Sequence, residues 1–224
     1  MKTKKIKSII KKSANQNVLS LLLITVGLAL IAVAAYLANT ASSAIPTNLV
    51  KAPNSKQLTA SSIKPSTKAV SSYSVAPTLP KYINIPSIGV NARVLRLGLL
   101  KNGQIATPDN IFDTGWYDGS AKPGQKGAMF IYGHVSSWTA DGVFYRLKKI
   151  KPGDRIIITR GDNKIFTYIV IKSNVYPYKA VDMNTVLSPI SPNTPGLNLM
   201  TCTGQVIKGT SEFNERLVVF SELS

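Results

Sequence analysis

From residue 81 onward, the apolar residues of this chain fall into short runs that end at turn-forming residues. The runs are rich in Val, Ile, Phe and Tyr, which is typical of β-strands. Turns are indicated at 151–154, which reads Lys-Pro-Gly-Asp, and at 160–164, which has the composition of a hairpin loop. We therefore predict seven or eight strands in about 140 residues, arranged as a closed barrel or as a sandwich. The runs cover residues 82–86, 92–100, 128–135, 154–160, 164–176, 197–202 and 216–223.

Two segments between these runs have other patterns. Residues 143–150 place an apolar side chain at every third position, which predicts one or two helical turns. Residues 188–196 contain three prolines and a glycine and are predicted to form a loop. The fold class is therefore mainly β, with short helical turns.

An uncharged apolar run precedes this domain at residues 18–37. Its length matches the roughly 20 residues that cross a hydrocarbon core about 30 Å thick. Residues 1–17 form a basic tail with six lysines between Lys2 and Lys12, so the positive-inside rule places this tail in the cytoplasm. We expect a single-pass transmembrane anchor in the cell membrane, with the domain outside the cell. There are two alternatives. A cleaved signal peptide usually has a shorter apolar region, and a buried core helix is disfavoured because no face of the run is polar.

Residues 38–80 are rich in Ser, Thr, Ala and Pro and are expected to form a disordered tether between the anchor and the domain. The net charge of +17 is concentrated near the N-terminus, because residues 1–80 contain ten lysines and no acidic residue. A nucleic-acid-binding tail is disfavoured, since the lysines in the tether are sparse and the tether is expected outside the cell. The folded domain is predicted at residues 81–224.

The chain has one cysteine and one histidine, and each stands at the end of a strand-like run. Cys202 ends the run Leu-Asn-Leu-Met-Thr-Cys, and His134 ends a run that begins at residue 128. A thiol and an imidazole are the two groups that cysteine nucleophilic catalysis needs. A single cysteine cannot form an intramolecular disulfide, so in an extracellular protein the thiol pairs with another chain or is free and reactive. The plain alternative is a buried cysteine that packs as a small apolar side chain.

Arg216 opens the last predicted strand and is the only arginine that follows Cys202. A guanidinium in this place can donate hydrogen bonds to a developing oxyanion, although an ordinary salt bridge would also explain it. Asp113 and Asp141 are both candidates to orient His134, and the sequence selects neither. We expect no metal and no cofactor, because the chain lacks a zinc ligand set and residues 109–113 lack the pattern of a calcium-binding loop.

In the order of these features the chain resembles the sortase family of cysteine transpeptidases, and in particular the smaller single-domain members called class E or F. The shared features are an N-terminal anchor, a Ser/Thr/Pro-rich tether, a Gly-His pair after a strand, and a late Thr-Cys motif followed by Arg-x-Val-Val. They correspond here to 18–37, 38–80, Gly133-His134, Thr201-Cys202 and Arg216–Val219. The resemblance covers residues 81–224.

The resemblance implies a closed eight-stranded β-barrel and a thioacyl mechanism. Cys202 would attack the carbonyl carbon of a C-terminal sorting signal on a surface protein, and His134 would protonate the leaving amine. Arg216 would hold the signal peptide and the oxyanion, and Thr201 would support this region. The acceptor would be an amine of the cell envelope or of a pilin subunit.

Two features depart from the family pattern. Thr203 and Gly204 follow the cysteine where several branches have other residues, and the segment between Cys202 and Arg216 is long. If Asn214 took the place of the family's arginine, the oxyanion role of Arg216 would fail. Two other functions also remain open from the sequence, namely a hydrolase of the same fold and a non-catalytic surface barrel that binds peptide or glycan.

Overall fold

The computed structural model of the protein describes residues 60–224. These residues form a closed barrel of eight strands, which confirms the mainly β prediction and decides between a barrel and a sandwich. The strand order around the barrel is β1-β2-β3-β4-β7-β8-β6-β5, and β5 pairs with β1 to close it. The strands are β1 Pro80–Ile85, β2 Val90–Leu97, β3 Thr114–Tyr117, β4 Ala128–Gly133, β5 Arg155–Arg160, β6 Ile165–Pro177, β7 Gly196–Val206 and β8 Phe213–Leu223.

Short helical segments accompany the strands. Within the described residues, the two α-helices are α1 Thr67–Ser71 and α2 Met183–Val186. The 3₁₀ turns are Pro86–Ile88, Leu147–Lys149 and Tyr178–Ala180. The turn at Leu147–Lys149 confirms the helical turn predicted within 143–150.

Two strand pairs in the barrel are parallel, β2 with β3 and β4 with β7, and the other pairs are antiparallel. The parallel pairing of β4 with β7 needs a long connection, and β5, β6 and α2 lie within it. Strands β7 and β8 form a long hairpin whose loop covers residues 207–212. The C-terminal end of β4 therefore lies beside β7 shortly before this loop.

Both faces of β4 and of β7 up to Cys202 are buried, which explains why these segments are mostly apolar, with Asn198 and Thr201 as the polar exceptions in β7. Ile131 and Leu199 point into a cluster to which all eight strands contribute, and this cluster is the barrel interior. Tyr132 and Met200 point the other way, into a second cluster that we call the outer cluster. The segment 181–190, which contains α2, covers this outer face. The buried members of the outer cluster are Ile105, Tyr117, Phe130, Tyr132, Met183, Val186, Met200, Val218 and Phe220.

Residues 60–79 precede the barrel and contact its outer surface. The hydroxyl of Tyr73 donates to the carbonyl oxygen of Val94 at 2.7 Å, and the hydroxyl of Tyr82 donates to the carbonyl oxygen of Val70. The guanidinium of Arg93 stacks on the Tyr73 ring, 5.5 Å from its centroid. From residue 60 onward the structure thus differs from the expected disordered tether, because its few apolar and aromatic side chains find partners on β1 and β2.

The predicted basic tail 1–17, the anchor 18–37 and the first part of the tether, 38–59, lie outside the described residues. Within residues 60–224, none of the helices is both long enough and apolar enough to cross a lipid bilayer.

The hydrogen bond from Tyr73 to β2 should contribute to the free energy of unfolding. Tyr73→Phe removes one side-chain hydrogen bond and should lower the free energy of unfolding by about 1 kcal/mol. For a domain of this size such a loss lowers Tm by about 2–4 °C. Thermal unfolding followed by circular dichroism measures it, with Tyr145→Phe at an exposed tyrosine as the matched control. Equal Tm values for the two variants would show that the hydrogen bond from Tyr73 to Val94 does not stabilise the protein.

Candidate active site

The pairing of β4 with β7 brings His134 beside Cys202. In this parallel pair Ile131 lies opposite Leu199, and Tyr132 lies opposite Met200. The hydroxyl of Thr201 donates to the carbonyl oxygen of Gly133 at 2.8 Å, which extends the match by one residue. The next residue after Gly133 is His134, and the next residue after Thr201 is Cys202. Neighbouring strands lie about 4.8 Å apart, so the imidazole and the thiol start from adjacent backbone positions.

Strand β8 adds the third group from the other side. Cys202 lies directly opposite Arg216 in the antiparallel pairing of β7 with β8. His134, at the end of β4, Cys202 and Arg216 therefore occupy one row of backbone positions across β4, β7 and β8. We call these three residues the polar row.

The polar row faces the outside of the barrel. Tyr132, Met200 and Val218 belong to the outer cluster, and each stands two residues from a member of the row. Because side chains alternate along a strand, residues two positions apart share a face. The apolar outer cluster therefore leads directly to the polar row, and the site lies at its end.

The thiol of Cys202 is covered, with 7% of the residue exposed. Burial raises the pKa of Cys202 to about 11, because the interior disfavours a thiolate. The positive charge of Arg216 acts in the opposite direction, and the negative charge of Glu212 raises the pKa further. In this conformation the cysteine is a protonated thiol at neutral pH.

The imidazole of His134 is covered as well, at 3% exposure. Burial lowers the pKa of His134, while its hydrogen bond to the Pro108 carbonyl and the charge of Asp109 act against this shift. The Nε2 atom lies 2.7 Å from the Pro108 oxygen, and a carbonyl can only accept, so Nε2 carries the hydrogen. The neutral ring is left with Nδ1 as its basic atom.

The loop that carries Pro108 is held by residues outside the predicted domain. The backbone N–H of Ser61 donates to the Asp109 carbonyl at 2.8 Å, and the N–H of Ile111 donates to the Ser61 carbonyl at 3.0 Å. The hydroxyl groups of Ser62 and Thr139 also form a hydrogen bond, at 2.9 Å. Residues 61 and 62 thus connect to the segments on both sides of His134 and help to position it.

The two carboxylates that the sequence left open as partners of His134 have other roles. Asp113 accepts two hydrogen bonds from Arg93, at 2.8 and 2.7 Å, and is itself 2% exposed. Asp141 lies in the loop after β4, where its backbone pairs with Ser136. The Pro108 carbonyl orients His134 in place of a carboxylate. This partner is a backbone group, so no pattern of side chains in the sequence could reveal it.

Arg216 is buried at 3% exposure and is held by the loop between β7 and β8. Its Nη1 donates to the carbonyl oxygens of Phe213 and Glu215, at 2.8 and 3.0 Å. Its Nη2 donates to a carboxylate oxygen of Glu212 at 3.2 Å. The guanidinium also lies over the Tyr178 ring, 5.6 Å from the centroid. Sequence reasoning did not single out Glu212 or Tyr178, because neither belongs to a recognisable motif.

Asn214 does not replace the arginine. Its side-chain oxygen accepts a hydrogen bond from the Gln205 backbone N–H at 2.7 Å, which ties together the two strands at the base of the loop. Among residues 60–224, no three His, Cys, Asp or Glu side chains are grouped so that they could hold a metal ion.

Comparisons with known proteins agree with the fold. A family model described as the sortase domain matches residues 83–224. Sortase A from Corynebacterium diphtheriae, in a lid-mutant structure, is 26% identical with a TM-score of 0.51, over 66% of this chain and 70% of that chain. Sortase C2 of pilus island 1 from Group B Streptococcus is 22% identical with a TM-score of 0.50, over 73% of this chain and 82% of that chain. No curated protein sequence matches the chain.

Because the imidazole of His134 is buried, we predict a lowered titration midpoint for its ring. His134 is the only histidine, so its ring signals in the full chain, labelled with ¹³C and ¹⁵N at histidine, need no assignment. An NMR titration should give a midpoint below the ordinary value of 6.5, because burial disfavours the charged ring. In urea-unfolded protein the midpoint should return to that value. A midpoint at or above 6.5 in the folded protein would contradict the burial described here.

Proposed function

Because this chain belongs to the sortase family, we propose that it is a cysteine transpeptidase that cuts a C-terminal sorting signal and transfers the protein to an amine. The observation that carries the proposal is the polar row, which brings together the only thiol, the only imidazole and a buried guanidinium on three adjacent strands. This arrangement supplies a nucleophile, a proton carrier and a donor for negative charge.

The first half of the proposed reaction forms a thioester. The Cys202 sulfur attacks the scissile carbonyl carbon while the thiol proton moves to the basic nitrogen of His134. The C–N bond then breaks, and the imidazolium gives its proton to the leaving amine. Both groups start neutral, so the charge separation needed for attack arises only during the reaction.

Arg216 would stabilise the charge that develops on the carbonyl oxygen. One donor of this kind contributes on the order of 3 kcal/mol to transition-state stabilisation. The arginine lies opposite Cys202 in the strand register. When this sulfur attacks a carbonyl carbon, the oxyanion therefore forms close to the arginine.

Thr201 has a supporting part in this proposal. Its hydroxyl hydrogen-bonds to the Gly133 carbonyl and ties β7 to β4 one residue before the polar row. The side chain therefore fixes the distance between Cys202 and His134 and is not expected to contact the substrate.

The second half of the reaction resolves the thioester. An incoming amine loses a proton to the imidazole, its nitrogen attacks the thioester carbon, and the C–S bond breaks. The sulfur then recovers a proton and the site returns to its starting state. If water takes the place of the amine, the same site acts as a hydrolase, so the partition between these products decides between the two activities.

Substrate entry requires the covering segments to move, because all three members of the polar row are buried. Pro108 covers His134, and Tyr178 and Glu212 contact Arg216. The proposed partners are surface proteins with a C-terminal sorting signal, and an amine of the cell envelope or of a pilin subunit. We also propose that residues 18–37 anchor the chain in the cell membrane, with the barrel on the extracellular side.

The test is a transfer assay with the full chain in detergent micelles. A library of peptides with C-terminal sorting-type sequences is incubated with an amine donor, and the products are followed by mass spectrometry. Wild type should give an acyl adduct on Cys202 and the amine product. Cys202→Ala should abolish both, and His134→Gln should lower the rate by about 10²- to 10⁴-fold.

Arg216→Lys is the matched variant for the oxyanion role, since it keeps the charge but loses the planar pair of donors. It should lower kcat by about 10²-fold. Product formation in Cys202→Ala would contradict the mechanism. A folded wild-type protein that forms no adduct with any peptide would favour the non-catalytic barrel.

A further inference from the structure

Glu212 lies where its side chain can determine the position of the Arg216 guanidinium. It ends the loop between β7 and β8, where its carbonyl oxygen accepts from the Ile207 N–H at 2.8 Å. Its own N–H donates to the Thr210 hydroxyl oxygen at 3.1 Å. These two bonds close the loop and fix the origin of the side chain.

The carboxylate of Glu212 forms an ion pair with Arg216. The side-chain exposures are 27% for the glutamate and 4% for the arginine, so the pair is more shielded from water than a surface salt bridge. The carbonyl oxygens of Phe213 and Glu215 hold the other nitrogen of the guanidinium. The hydrogen-bond acceptors named for Arg216 thus all come from the residues just before it, and they direct the guanidinium toward the loop.

A carboxylate and a substrate carbonyl compete unequally for a guanidinium. The carboxylate carries a full negative charge, so it adds a Coulomb attraction to the guanidinium that a neutral carbonyl lacks. Glu212 therefore wins against the neutral carbonyl of a bound substrate. An oxyanion carries a full charge and can displace the carboxylate, so the arginine contact would be made in the transition state and not in the ground state, which favours kcat.

We propose that Glu212 is a positioning residue that holds Arg216 against the β7–β8 loop and releases it when negative charge forms on the substrate. The substrate part of this inference rests on the proposed function. The inference that Glu212 holds Arg216 does not rest on the proposed function. It concerns only the thiol, the guanidinium and the carboxylate.

The holding part is tested by alkylation of Cys202 with iodoacetamide as a function of pH, without peptide, in the full chain. Cys202 is the only cysteine, so the rate reports one site. The charged groups that act on the thiol are Arg216 from β8 and Glu212 from the loop before it. The titratable ring of His134 follows the end of β4, the strand that pairs with β7. Glu212→Gln should give alkylation about three- to tenfold faster at pH 8, because a pKa lowered by one unit gives about tenfold more thiolate.

The matched control is Glu215→Gln. It removes a negative charge close to the same loop, but it keeps the backbone carbonyl that accepts from Arg216. Its alkylation rate should stay within twofold of wild type. Equal rates for wild type and Glu212→Gln would overturn the proposal, and so would an acceleration of the same size in Glu215→Gln.

A double-mutant cycle separates control of the arginine from a direct effect of the glutamate charge on the thiol. In an Arg216→Gln background, Glu212→Gln should accelerate alkylation clearly less than in wild type, since there is no guanidinium to release. The same acceleration in both backgrounds would show that the carboxylate acts on Cys202 alone, and the holding role would be wrong.

Peptide turnover tests the release part. Glu212→Gln should lower KM, because the free guanidinium binds the ground-state carbonyl, while kcat should not increase. An increase in kcat with unchanged KM would contradict this. If wild type turns over no peptide at all, the proposed function fails, but the alkylation cycle still decides whether Glu212 holds Arg216.

Discussion

The parallel pairing of β4 with β7 is the constraint on which the rest of this site depends. It sets Tyr132 opposite Met200, and two residues later it sets the imidazole beside the thiol. Side chains on both faces of these strands are buried, Ile131 and Leu199 inside the barrel and the tyrosine and methionine outside. A shift of one residue would exchange the two faces, so packing on both sides specifies the register strongly.

Burial then determines the charge state of the groups that this pairing brings together. Cys202 and His134 are both neutral at pH 7 in the described conformation, and the one permanent charge of the polar row, on Arg216, is bound by Glu212. While the thiol is covered and protonated, its nucleophilicity is low, because the thiolate is the reactive form. In the proposed reaction, substrate binding must open the covering segments, and bond formation then creates the charges that the site is built to stabilise.

Part of this arrangement could be predicted from the sequence. The continuous apolar runs before His134 and Cys202 predict buried strands, and a resemblance in motif order pointed to the barrel and to all members of the polar row. Strand β3, Thr114–Tyr117, was not predicted as a strand, because it is short and contains a glycine. That glycine is required by close packing, since a Cβ at Gly115 would lie 2.7 Å from the Tyr132 ring.

Other features could not be predicted because they depend on tertiary contacts. The segment before the barrel looks too polar to order itself, yet Tyr73 and Ser61 bind it to β2 and to the loop beside His134. The partner of the imidazole is a backbone carbonyl, which every residue has. Glu212 is one acid in a polar loop, and only the hairpin geometry places its carboxylate on Arg216.

One NMR measurement tests directly whether the thiol of Cys202 and the imidazole of His134, the only groups of their kind in the sequence, are neighbours. The ring signals of His134 are recorded in the full chain before and after Cys202 is converted completely to its methyl disulfide with methyl methanethiosulfonate. We expect a clear change in the ring chemical shifts and in the titration midpoint, because the new group lies against the imidazole. Unchanged shifts and an unchanged midpoint, in protein that mass spectrometry shows to be fully modified, would contradict it.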